Sequence, residues 1–164
     1  LAPANVIVAT GLDYIHSDHL SVFFAPIAYK SVMVLNDDIA ALGVHGNPWT
    51  SADEYEQVKH EMGANLRAKY TNLYYEKLTV GSELNLFYDY LADEHGAEFI
   101  DLIWINELGY EIFKGISLNL LVDVRWDRDV ASVLPEGTVD DGLEKFRKWM
   151  ITEAFVIKYN YVIK

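Results

Sequence analysis

The 164 residues include no cysteine, so neither a disulfide framework nor a thiolate metal site can form. That absence is compatible with an oxidising compartment. Basic residues are scarce: Asp and Glu outnumber Lys and Arg 25 to 13, for a net charge of −12. Phosphate recognition needs clustered Lys and Arg, so nucleic acid is excluded as a partner. No apolar run reaches the roughly 18 to 20 residues of a membrane-spanning helix. The N-terminus lacks the basic, apolar and small-residue order of a signal peptide, so any targeting segment is expected to have been removed already. No Pro/Ser-rich linker divides the chain, and one domain over residues 1–164 is expected. Catalytic signatures are missing too: there is no HExxH, GxSxG, GxGxxG or P-loop, and neither a catalytic residue nor a cofactor is assigned.

What the chain has in abundance is alternation. From Leu78 to Leu91 the side chains Leu78, Val80, Leu84, Leu86, Tyr88 and Tyr90 fall on one parity, and Thr79, Gly81, Glu83, Asn85 and Asp89 on the other. Successive strand side chains point to opposite faces, so this is a two-faced strand, and a long one. Gly115 to Trp126 repeats the rhythm with Ile116, Leu118, Leu120, Val122, Val124 and Trp126, and Glu61 to Tyr70 repeats it again. A period of two excludes amphipathic helix for these segments.

Turn residues and parity predict about eight strands: 5–14, 19–25, 31–35, 61–75, 78–91, 99–110, 115–126 and 148–163. The fold class is all-β, an antiparallel up-and-down barrel. Short connections are expected at Pro26 to Lys30, Glu76-Lys77 and Glu111 to Lys114. Longer ones are expected at Asn36 to His60 and Asp127 to Phe146. This count places His16 to Asp18 with the long loops and both termini with the short turns. Short turns on one side and longer loops on the other are the layout expected of an outer-membrane barrel, and the acidic residues concentrate on the long-loop side. Asp140 to Met150 shows a weak helical spacing through Leu143, Phe146 and Trp149.

A soluble barrel of the lipocalin kind also has one apolar face, turned inward around a ligand. The polar parity argues for the membrane alternative, because it carries glycine, amide and hydroxyl residues rather than the Lys and Glu of a wet exterior. The expected lumen-facing polar set is Arg67, Lys69, Glu83, Asn85, Asp123, Arg125 and Lys158. Opposite charges there would have to pair, since unpaired buried charge is costly. The expected lipid-facing and girdle set is Leu84, Leu86, Tyr88, Tyr90, Leu118, Leu120, Trp126, Tyr159 and Tyr161. Tyrosines near strand ends suit a membrane interface, where the ring is apolar and the hydroxyl stays wet.

Five segments carry a family likeness: Gly11-Leu12-Asp13-Tyr14, Leu20 to Pro26, Asn65 to Tyr70, Leu84 to Leu91 and Leu121 to Asp127. They resemble an uncharacterised family of outer-membrane β-barrel proteins of Bacteroidota, a domain of unknown function, over about Val8 to Val130 plus the last strand. The resemblance implies the fold and a bacterial outer-membrane location, and no activity. It also implies that these strands form the C-terminal part of a larger barrel. The last strand, with Trp149, Ile151, Phe155, Ile157, Tyr159, Tyr161 and Ile163 on one parity, resembles the signal read by the barrel-assembly machinery, although it ends on Lys164 rather than an aromatic residue.

The expected function is therefore that of an outer-membrane barrel, structural or partner-binding and without enzymatic activity. Its partners would be outer-membrane lipids, the assembly machinery, and other outer-membrane or surface proteins meeting the acidic loops. A channel is the alternative if more strands complete the wall; a soluble small-ligand carrier is the second. His16, His19, His45, His60 and His95 lie in or beside loops, and a rim cluster of them with Asp18, Asp37 and Asp38 is the one arrangement suited to a metal. Scattered loop histidines are more often solvated, and no metal site is assigned. Asp127-Arg128-Asp129 offers too few oxygens for a calcium loop. Trp49, after the turn-rich Gly43 to Pro48, would anchor a partner or fold onto the rim.

Overall fold

In the computed structural model, which describes residues 4–36, 49–51, 54–92, 100–127 and 149–160, the alternating segments become strands. These are β1 (Ala4–Ser17), β2 (Leu20–Met33), β3 (Trp49–Ser51), β4 (Glu54–Tyr55), β5 (Val58–Tyr74), β6 (Leu78–Asp89), β7 (Ile100–Phe113), β8 (Ile116–Trp126) and β9 (Met150–Tyr159). Seven of them form one antiparallel sheet in the order β1-β2-β5-β6-β7-β8-β9, and β3 pairs with β4 as a small hairpin. Each long strand pairs with its neighbour in the chain, β3 and β4 aside. This is an up-and-down meander, open between β1 and β9 among the described residues.

Two expectations are corrected together. The strands expected at 19–25 and 31–35 are one strand, β2, and the corner expected at Pro26 to Lys30 lies inside it. The register with β5 shifts between Ala25 and Ala28, and the register with β1 shifts opposite Gly11. Proline lacks an N–H to give to a ladder, and a bulge is where a strand tolerates that loss. Merging the two strands reverses the direction assigned to everything before them. The Asp18-His19 turn therefore lies at the same end as the β5–β6 and β7–β8 turns, not with the long connections. The start of β1 lies at the long-connection end, since Ala4 pairs with Met33. The close of β9 lies at the turn end, since Tyr159 pairs with Ile116.

The turn end is built from tight hairpins. Lys77 N donates to Tyr74 O at 3.1 Å, with Tyr75 and Glu76 both left-handed at φ 51° and 57°. Positive φ at both central residues is the type I′ arrangement, whose twist matches that of the flanking strands. In the β7–β8 turn the left-handed position is filled by Gly115 at φ 81°. The helical spacing expected over Asp140 to Met150 falls outside the described residues up to 148, and Met150 itself opens β9.

Register sorts the side chains into two faces. One row crosses the whole sheet through Asp13, Phe23, Arg67, Asn85, Ile103, Arg125 and Met150. The adjacent row, on the opposite face, runs Tyr14, Val22, Ala68, Leu84, Trp104, Val124 and Ile151. The sheet curls toward the first, polar face. Lys30 on β2 and Asp101 on β7 lie three strand spacings apart, about 14 Å in a flat sheet. Their side chains nevertheless meet at 2.5 Å.

Candidate functional site: the polar face of the sheet

The polar face carries charge that is buried. At its long-connection end Lys30 Nζ lies 2.8 Å from Glu61 Oε2 and 2.5 Å from Asp101 Oδ2, and Lys59 Nζ lies 2.8 Å from Glu61 Oε1. Glu61 is only 2% exposed. Phe87 is buried beside them, with Lys30 Nζ 5.3 Å from its ring centre, a cation–π contact in a desolvated place. Each of these two acids has a lysine against it, the condition for such groups to lie in a protein interior, and the charge of Asp127 acts on Lys30 and Asp101 as well.

Toward the middle of the face, amides replace charges. Asn65 Nδ2 donates to Asn85 Oδ1 at 2.6 Å and to Leu86 O at 3.0 Å. Asn119, 2% exposed, donates to Ser117 Oγ at 2.9 Å. It sits over Gly109 on the neighbouring strand, where an added Cβ would lie 2.3 Å from Asn119 Oδ1. Glycine is the residue that leaves this room. Arg67 lays its guanidinium 5.5 Å from the Phe23 ring centre.

All seven residues expected on the lumen side share this face: Arg67, Lys69, Glu83, Asn85, Asp123, Arg125 and Lys158. Their partners differ from a simple pairing within that set. Arg125 does take Asp123, two residues away on its own strand, at 2.6 Å. Lys158 instead reaches across β8 to Glu107, and Lys69 stands opposite Glu83 in the register. The cluster of Lys30, Lys59, Glu61 and Asp101 was missed, because Lys30 was placed in a turn. Parity alone does not find it, because the bulge between Ala25 and Ala28 moves the polar face from odd to even positions along β2.

The opposite face holds Leu84, Leu86, Tyr88, Leu118, Leu120, Trp126 and Tyr159 in register, with Tyr90 continuing β6; Tyr161 lies outside the described residues. Tyr88, Tyr90, Tyr29, Trp126 and Trp149 gather at the long-connection end, and Tyr14, Tyr70, Tyr74, Tyr110 and Tyr159 nearer the turn end. Polar side chains interrupt it, Thr10, Ser31, His60, Asn72, Ser82, Asn106 and Glu153 among them. Trp104 Nε1 donates to Ser82 Oγ, and Ser82 Oγ to Asn106 Oδ1, each at 2.9 Å, while Glu153 is exposed on β9.

Among the described residues the histidines do not assemble into a centre. His16 and His19 stand at the turn end, His16 with Tyr14 and His19 with Thr71 O at 3.2 Å. His60 bonds Tyr29 at the other end of the sheet. His45, His95, Asp37 and Asp38 lie outside the described residues, among which no group of three or more metal-ligating side chains occurs. Of the long-loop features, Trp49 belongs to β3, and Arg128 and Asp129 lie outside the described residues. No helix among the described residues is long and apolar enough to cross a membrane. No protein-family model, curated protein or solved structure matches the chain.

Proposed function

We propose that the sheet is the wall of a β-barrel in a bacterial outer membrane, a structural or partner-binding component without enzymatic activity. One observation carries the reading: polarity is inverted with respect to a water-soluble protein. The large apolar side chains left exposed lie mostly on one face, Leu12 at 79%, Phe155 at 75% and Ile157 at 76% among them. The buried charges lie on the other. Exposed apolar area of this extent marks a surface meant to be covered, and lipid covers a strand face that is apolar along its length. The tyrosines and tryptophans near both ends suit the two interfaces. A soluble carrier of small apolar ligands would curl the other way, with its apolar face inside. In a narrow barrel the interior is filled by side chains, as Phe87, Lys30 and Arg67 begin to do here.

The test replaces Leu84 or Leu120 by Lys. Near the bilayer midplane each substitution is expected to cost about 2 to 4 kcal/mol in urea unfolding of the lipid-reconstituted protein. A protein that stays monodisperse without detergent, and loses little stability from either lysine, would contradict the membrane reading. Stable single-channel currents in a planar bilayer would replace the filled barrel by a channel.

A further inference from the structure

We infer that the gap between β1 and β9 is the docking site for one donated strand, which completes the wall by pairing with both edges. The inference rests on the barrel reading above, and direction is its core. Seven strands in an up-and-down meander leave the first and last running the same way, so β1 and β9 can pair with each other only in parallel. One strand running from the turn end to the long-connection end is antiparallel to both. It also brings the count among the described residues to eight, the smallest number that closes in outer-membrane barrels.

The β1 edge is built to be covered. Sheet edges that stay free are blunted with lysine, proline or short length. β1 has fourteen residues, with neither Lys nor Pro among them. On its polar, inward face Ile7 is 42% exposed although Lys30 and Glu61, next in its row on β2 and β5, are buried, because nothing lies beyond β1. A second copy is the wrong occupant: copies inserted with the same orientation would meet edge to edge only in parallel. The donor is instead a separate segment of about ten residues, apolar at every second position outward and small or polar inward.

The absence of cysteine makes the test direct. Cysteine pairs are scanned between Val6, Val8 or Leu12 on β1 and Ile151, Phe155 or Ile157 on β9, in the full chain folded in detergent and checked by circular dichroism. The expected pattern is no disulfide at any pair, with cross-linking by a bis-maleimide of about two strand spacings, roughly 10 Å. A synthetic peptide of the β8 sequence, residues 116–126, runs in the required direction beside β9 and serves as the donor probe. In excess it is expected to slow maleimide labelling at Val8→Cys and Phe155→Cys together. An intramolecular disulfide would overturn the inference in favour of self-closure, an intermolecular one in favour of a second copy. Unchanged labelling at both edges with peptide present would overturn it as well. Solubility without detergent would sink the membrane reading alone, since the same cross-links then report on the edges in water.

Discussion

Tyr75 and Glu76 hold a backbone conformation that side chains with a Cβ adopt reluctantly. Left-handed φ costs roughly 1 to 2 kcal/mol for an ordinary residue, and type I′ turns select Asn-Gly for that reason. The turn sits where the register reverses the chain, between Tyr74 and Leu78, with Thr71 against Gly81 behind it. Replacing Tyr75 by Asn and Glu76 by Gly together should raise stability by about 1 kcal/mol, read as a higher urea midpoint with unchanged slope. A lower midpoint would mean that the exposed Tyr75 ring contributes a contact larger than the strain.

For the strands themselves, what was legible depended on whether local pattern and register agreed. β6 and β8 could be read almost to the residue, because alternation there is broken only at Ser82, Phe87 and Leu121 and neither contains proline. β2 could not, because Pro26 reads as a turn unless the bulge that accommodates it is known, and a bulge is a property of two strands rather than one. That single misreading displaced Lys30 from the polar face and reversed the end assigned to Asp18. The two-residue pairing of β3 and β4 carries too little pattern to be seen at all. On β9 the parity that places Ile151, Phe155 and Ile157 outward also places Glu153 outward. A carboxylate facing lipid is unfavourable, though less so than a lysine at the same depth. Glu153→Leu should therefore raise stability by about 1 kcal/mol in lipid or detergent. A loss of stability in micelles would put the β9 face in water.

At the scale of the whole molecule the question is curvature, which no strand encodes alone. The contact between Lys30 and Asp101 joins strands separated by β5 and β6, so it exists only if the sheet curls, and it lies where burial makes an unpaired charge expensive. Lys30→Met removes the shared partner of Glu61 and Asp101 and should cost about 3 to 5 kcal/mol, the range for breaking a buried pair. Asp101→Asn alone should cost less, because Lys30 keeps Glu61 at 2.8 Å. Combined, the two substitutions should be non-additive by about 1 to 3 kcal/mol, since each destroys the same interaction. Neither residue contacts the other through the backbone of a shared strand, so the coupling reports tertiary geometry and not local propensity. Additive effects would mean that β2 and β7 do not face each other across a concave surface, and a sheet that is flat there cannot be a barrel wall.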